Sequence, residues 1–440
     1  MHDTFDVAIV GAGPAGLAAA AAAAGQGRRV VLIDSQAQAG GQVWRNDVMH
    51  GYPAIAERGI KAALSSPGVT WLPETQVIGV EDNQLLLQDA QRGYYIAFNA
   101  LVITQGAREL LLPFPGWTLP GVVGAGGLQA LAKQGWSLKD KRVVIAGGGP
   151  LLLAAAHTAR KHGAVVLGIH EQAAAPDVRR FATGLWRWPA KLAQAASLKA
   201  GLAGIPYRFG RVVTAAHGNV MTAGYVNDRL TAVDIEGPHG DERVECDVLA
   251  AGFGLVPDVS LARQLGCGMR PDTLHAQVEV DANQCTTRPG IFAAGEACGI
   301  GGRDCARIEG QIAGLAAAGA AVPSALLRKR DHARAFAIHL HKHFALTQRV
   351  RTLARYDTLV CRCEDVPFGA IRRHADARSA KLATRCGMGA CQGRICGAAL
   401  TELGHGARNA SRPPLFPARL STLGEPAFPS ELPAPRGTHA

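Results

Sequence analysis

The chain has 440 residues, of which 48% are hydrophobic and 18% charged, with 53 glycines. That length suits two or three domains, and that balance excludes a disordered polymer. The formal net charge of +11 comes without a lysine-rich run or interleaved aromatics, which argues against nucleic acid and for a basic surface or an acidic protein partner.

The first residues, Met1 to Asp6, are acidic, and the alanine-rich run behind them begins inside a glycine motif. Neither a signal peptide nor direct membrane insertion is therefore expected. A reducing, cytoplasmic setting follows, with membrane association only through partners. There the ten cysteines are expected as metal ligands or free thiols, not disulfides.

Residues 5–10 read as a short buried strand. Gly11, Gly13, Pro14, Ala15 and Gly16 follow at once and open an Ala/Leu helix. A second strand over 29–33 ends at Asp34. This is a G-x-G-x-x-G turn between strand and helix, with an acid about 20 residues on. Gly11 allows the turn, Gly13 lets the backbone approach a pyrophosphate, and Gly16 lets helix and strand pack closely. Asp34 can accept hydrogen bonds from ribose hydroxyls.

A second unit occupies the middle of the chain. Residues 142–146 form a strand, Gly147-Gly148-Gly149-Pro150 the turn, and residues 164–169 the next strand, with Glu171 beyond it. The third glycine is replaced by Leu152, which is expected to loosen helix–strand packing or move the helix off the phosphates. Catalytic use of NAD(H) and a purely structural domain both remain open. The fold class expected is α/β, with two nested Rossmann-like domains. The first spans 1–107 and 258–325, and the second, inserted, spans 108–257. Pro113, Pro115, Pro120 and Gly121 mark the hinge. Residues 326–357 read as a helical linker. From 407 to 440 the chain is proline-rich and expected to be extended, either loose or along a partner.

Half of the ten cysteines crowd into residues 361–396, as Cys361-x-Cys363 and Cys386-Gly-Met-Gly-Ala-Cys391-Gln-Gly-Arg-Ile-Cys396. Thiolates so spaced can hold two irons and two sulfides. They also suit tetrahedral zinc. Gly387, Gly389 and Gly393 allow a tight fold around an anionic cluster, and Arg385 and Arg394 offset its charge. Beside the predicted flavin site, no C-x-x-C or C-x4-C stands directly after Gly41, and the middle domain has no C-x-x-C, so the dithiol chemistry of a disulfide reductase has no thiolate pair to run on. Cys298 and Cys305 read as packing cysteines.

Several stretches carry a family resemblance. Gly40-Gly41-Gln42, Thr75-Gln-Val77, Thr104-Gln-Gly106 and Gly295-Glu296 resemble the flavin-side segments of flavoproteins with two dinucleotide domains. The resemblance implies FAD rather than bound NAD or ATP in the first domain. Such proteins usually carry Asp where Glu296 stands. Residues 358–406 resemble the small, helical bacterioferritin-associated-ferredoxin type of [2Fe-2S] domain. Its CQGR-x-C variant implies Cys361, Cys363, Cys391 and Cys396 as ligands and leaves Cys386 spare.

From about residue 3 to 400 the chain resembles the A (alpha) subunits of octopine/nopaline oxidases, the B component of hydrogen cyanide synthase and the alpha subunit of D-hydroxyproline dehydrogenase. The stretch Gly106 to Gly121 and Pro150 to Leu153 are the local segments most alike. That resemblance implies an electron-transfer subunit. Its amine-oxidising flavoprotein (beta) partner breaks the C–N bond, with a small ferredoxin-like subunit and an interface FMN as further candidates. A stand-alone NAD(P)H reductase and a non-catalytic nucleotide scaffold are the alternatives.

Overall fold

The computed structural model describes residues 4–218, 229–406 and 412–424. The first sheet holds seven strands. Five are parallel at their pairings: β1 (Thr4–Val10), β2 (Val30–Ile33), β3 (Val69–Leu72), the second half of β6 (Gly93–Ile103), and β17 (Ile291–Ala293). The first half of β6 turns antiparallel against β5 (Gln84–Gln88), which pairs in turn with β4 (Gln76–Glu81). Along β1 the residues alternate between two cores. Val7 and Ile9 face one side; Ala8 and Val10 face the other. A strand covered on both faces must be apolar throughout, which is why residues 7–10 carry no polar group.

One face of that sheet is covered by α1 (Pro14–Ala24) and α8 (Gly302–Ala317), with α2 (Ala54–Leu64) against α1. Helices α1 and α8 touch backbone to backbone. A β-carbon on Gly310 would sit 2.0 Å from the Ala15 carbonyl oxygen, and one on Gly314 2.3 Å from that of Ala19. The alanine run of α1 is thus a packing surface for a second, glycine-bearing helix. The short α7 (Ser260–Gln264) lies against β4.

The second sheet is wholly parallel, in the order β11 (Tyr207–Phe209), β10 (Val165–Glu171), β9 (Arg142–Gly147), β15 (Val248–Gly252), β8 (Val122–Gly124). Helices α3 (Ala125–Lys133) and α4 (Leu151–Lys161) pack on it, and α6 (Pro189–Gly201) packs on α4. Leu152 is fully buried, and the expected loosening of α4 does not occur. The neighbouring strand supplies room: a β-carbon on Gly252 would lie 3.0 Å from Leu152 Cδ2. The room that a glycine at 152 would give comes from Gly252 on the other side of the interface. An antiparallel ladder of β12 (Val212–Gly218), β13 (Leu230–Glu236) and β14 (Glu242–Glu245) lies alongside. The two sheets are bridged by β7 (Ala107–Glu109) pairing with β16 (Leu255–Pro257).

Past the second sheet, α9 (Ser324–His343) returns over the molecule and packs on α5 (Ala175–Gly184), and α10 (Gln348–Arg351) follows. The cysteine-rich segment folds as β18 (Leu359–Cys361), β19 (Val366–Pro367), α11 (Phe368–Ile371), α12 (Ala377–Thr384) and α13 (Cys396–Glu402). Helix α12 begins with a capping box in which Asp376 accepts from the Arg378 and Ser379 N–H groups. The segment packs Val360, Ile371, Ala380 and Leu400 around Cys361, Cys386 and Cys396.

Residues 412–424 are neither loose nor turned outward. Leu415 is buried in the first sheet's core and donates its N–H to the Ile78 carbonyl, at 2.7 Å. Arg419 donates to the carbonyls of Asp89 and Ala90, and α14 (Leu420–Gly424) lies against β6. The rest of the proline-rich tail lies outside the described residues.

Candidate functional site

The first glycine loop is built at the C-terminal ends of β1, β2, β6 and β17. Ala12 donates its N–H to Asp34 Oδ2 at 2.6 Å, and Gln36 donates to Oδ1 at 2.8 Å. Thr104 is buried and gives its hydroxyl proton to the carbonyls of Val10 and Gly11. Gly40 donates its N–H to Ala12 O, a β-carbon on Gly41 would lie 2.9 Å from the Gly13 Cα, and one on Gly295 3.0 Å from the Ala15 Cβ. Gly11, Gly13, Pro14, Ala15, Gly16, Asp34, Gly40, Gly41, Thr104 and Gly295 therefore form one contiguous cradle. Burial pushes the Asp34 carboxyl above its ordinary value, while the Ala12 and Gln36 N–H groups and Arg45 pull it back.

The cradle suits an anionic dinucleotide. Helix α1 begins at Gly13 with no side-chain cap, and nothing lies within 4 Å of where a Gly13 side chain would begin. An uncapped helix start with open space before it attracts phosphate. Nearby, Arg45 Nε and Gln105 Oε1 are buried without a partner.

Four residues expected at this site stand apart from the cradle. Gln42 is exposed and accepts a hydrogen bond from Arg45 Nη2. Val77 is turned into the core under the sheet. Gly106 belongs to the connector, where its carbonyl accepts from the Asp258 N–H. Glu296 spends both carboxylate oxygens on the start of α8, accepting from the Gly301 and Gly302 N–H groups at 3.1 and 3.0 Å. The added methylene lets Glu reach the helix start. Burial raises its carboxyl to about 7 against those two donors. Sequence reasoning missed Glu309, whose Oε2 accepts from the Gly295 N–H and whose Oε1 binds Arg334 at 2.7 Å. No motif marks it. Cys298 and Cys305 are buried beside it, their thiols pushed up chiefly by burial.

In the second loop, Gly149 donates its N–H to Glu171 Oε2 at 2.7 Å, and Ala173 donates to Oε1 at 2.9 Å. Glu171 has no exposed surface, and burial lifts its carboxyl to about 7. The folded protein keeps that proton to about pH 7, whereas the unfolded chain releases it near 4.5, so this group's contribution to stability falls as pH rises between those values. Glu171→Gln is expected to flatten the pH 5 to 7.5 profile of unfolding free energy by on the order of 1–3 kcal/mol, read from urea midpoints. Parallel profiles for the two proteins would contradict it.

The five cysteines of the C-terminal segment divide into two groups. Cys361, Cys386 and Cys396 are buried, their sulfurs within 4.8 Å of one another. Cys363 is exposed and Cys391 half-buried, and the two lie beside each other. Gly387 aims its N–H at Cys361 Sγ at 3.5 Å. Such a donor set fits a thiolate-bound iron–sulfur centre: soft ligands, a backbone donor to sulfur and a partly dry environment. The segment is docked on the rest of the chain by Arg108 Nη1 to Arg394 O at 3.0 Å, Trp117 Nε1 to Leu359 O at 2.6 Å, and Glu402 between His275 and Arg351, both at 2.7 Å. Arg108 lies on β7, four residues past Thr104 of the cradle. Among the described residues no helix is long and apolar enough to cross a membrane.

Known proteins are similar to this chain. The profile of the pyridine nucleotide-disulphide oxidoreductase family matches residues 5–321. The chain is 32% identical to the HcnB component of hydrogen cyanide synthase from Pseudomonas aeruginosa, over 88% of this chain and 90% of that one. It is 31% identical to the A component of the opine oxidase of Rhizobium meliloti, over 96% and 98%. Among solved structures, the L-proline dehydrogenase of P. horikoshii superposes with a TM-score of 0.63 at 19% identity, over 96% of this chain and 79% of that one. The chain is thus an oxidoreductase of the pyridine nucleotide-disulphide oxidoreductase family, and within it belongs with HcnB and the A components of opine oxidases.

Proposed function

We propose that this chain is the electron-transfer subunit of a heteromeric dehydrogenase or oxidase acting on the C–N bonds of opines, imino acids or D-amino acids. In this reading FAD lies in the first glycine cradle and a [2Fe-2S] cluster on the C-terminal cysteines. When bound, a flavin exchanges electron pairs for the single electrons an iron–sulfur centre carries. The protein's share is positional. The α1 start and Gly13 hold phosphate, Asp34 holds ribose, Glu296 sets the start of α8, Glu309 holds the Gly295 backbone, and the cysteines hold the metal.

The observation that carries this reading is the docking of the cysteine segment on β7, the strand that leaves the nucleotide cradle. Two prospective carrier sites share one connector. The relatives are named as subunits of larger enzymes, and we read the missing subunit as an amine-oxidising flavoprotein. A cleft lined by Arg108, Arg263, Arg378, Lys381, Arg394 and Arg412 supports an acidic partner or an interface FMN phosphate there.

The purified full chain is expected to carry flavin, iron and sulfide, and to leave octopine and D-hydroxyproline untouched in a dye-linked assay until a partner subunit is added. Bleaching of its flavin by octopine with no partner present would overturn the division of labour. Rapid bleaching by NADH would favour a stand-alone reductase instead.

A further inference from the structure

The chain contains two glycine loops of one design, so one serves as the control for the other. Around Gly13 the space is open to 4 Å, whereas at the matching Gly149 a side chain would begin 3.7 Å from Phe344 Cβ and 3.8 Å from its Cγ. The Gly149 N–H is already engaged by Glu171. No comparable bond engages the Gly13 N–H among the described residues.

Phe344 is the first residue beyond α9, and the residues after it are clamped. Gln172 Nε2 donates to the Ala345 carbonyl at 2.9 Å, and its Oε1 accepts from the Thr347 N–H at 3.0 Å. Gln172 itself donates its backbone N–H to Gly147 O at 2.7 Å. The clamp is therefore mounted on the glycine loop. Phe344 is seated edge-on against Phe181, ring centres 4.9 Å apart. Farther on, Val350 is fully buried beside Gly147 and Gln172. The segment cannot drift away easily, because Arg334 ties α9 to Glu309 and Gln284 on the first domain's side.

We infer that residues 344–350 occupy the second dinucleotide site, so that the chain's own backbone covers the loop face a nicotinamide dinucleotide must approach. Phe344 is the excluding side chain, and Gln172 is the residue that positions the segment. A phosphate meeting this face would find an aromatic ring, and the Gly149 N–H that would replace its water is already given to Glu171. The covering segment leads directly to Arg351, whose guanidinium pairs with Glu402 of the cysteine segment. Closure of the second site and docking of the cysteines thus use one stretch of chain. Electrons do not enter this subunit from NAD(P)H at the second fingerprint.

The test is calorimetric titration of NADH into the full chain as purified, beside Phe344→Ala and Gln172→Ala. The wild type is expected to show no saturable binding up to about 1 mM, the upper end of ordinary substrate affinities. Each substitution is expected to tighten the apparent NADH Kd at least about tenfold, since it lifts the cost of displacing the segment. Thermal melts identify a variant that has merely lost its fold, and the other then decides. Micromolar NADH binding by the wild type, or one unchanged Kd across all three proteins, would overturn the inference. Neither result bears on the first cradle or on the cysteines.

Discussion

Replacing Cys391 by serine is expected to remove the iron of the proposed cluster, and replacing Cys386 by serine to leave it in place. The two groups of thiols are not equally supplied. The buried group holds Cys361, Cys386 and Cys396, three sulfurs where one iron of a two-iron centre takes two. The solvent-facing group holds Cys363 and Cys391 alone. Losing Cys386 leaves two buried thiolates, and losing Cys391 leaves a single ligand on the outer side. Iron and acid-labile sulfide should stay near two each per chain in Cys386→Ser and fall by about tenfold in Cys391→Ser. The visible spectrum and the reduced-state paramagnetic signal should follow. Iron retained without Cys391, or lost without Cys386, would reassign the ligands. A stoichiometric zinc content in the wild type would replace the cluster altogether.

The second large effect separates binding from folding at the first cradle. Gly13→Ala adds a methyl to empty space, since nothing of the protein lies within 4 Å of it. The backbone there has φ of −76°, which alanine adopts freely. Stability should change by less than about 1 kcal/mol, while flavin content falls at least about tenfold because the methyl fills the proposed pyrophosphate space. Gly16→Ala is the contrasting case. Its β-carbon would lie 1.8 Å from the Gly11 carbonyl oxygen, so α1 must move off β1. Both flavin and stability should be lost, the latter by about 3 kcal/mol or more, at the upper end for overpacking. Flavin content and urea midpoints on the two variants decide the matter. A Gly13→Ala protein that purifies fully yellow would remove the flavin from this cradle.

Much of the architecture is legible in the chain itself. The strand–glycine–helix units at Gly11 and Gly147 announce themselves because each residue in them answers to a local demand. A tight turn, a close helix–strand contact and an acid at the end of the next strand all fall within about 25 residues. The cysteine spacing from Cys361 to Cys396 is local in the same sense. Buried strands declare themselves by unbroken apolar runs, as residues 7–10 do.

What escaped that reading depends on residues far apart in the chain. Leu152 looks like a defect until Gly252, a hundred residues on, is found opposite it. Glu296 reads as a flavin-side residue, and the sequence gives no sign that the helix start at Gly301 and Gly302 also donates to both its oxygens. The proline-rich tail gives no sign that Leu415 returns to Ile78. Phe344 carries no motif at all, and only the fold brings it over Gly149.

The amino-acid order alone thus determined the two nucleotide-type units and the thiol cluster, because backbone turns and metal ligation are specified by residues close in sequence. Which glycine loop stays open, and which is covered by the protein itself, was decided by tertiary packing. Access to a site depends on whatever is brought against it, and here that is a segment nearly two hundred residues away.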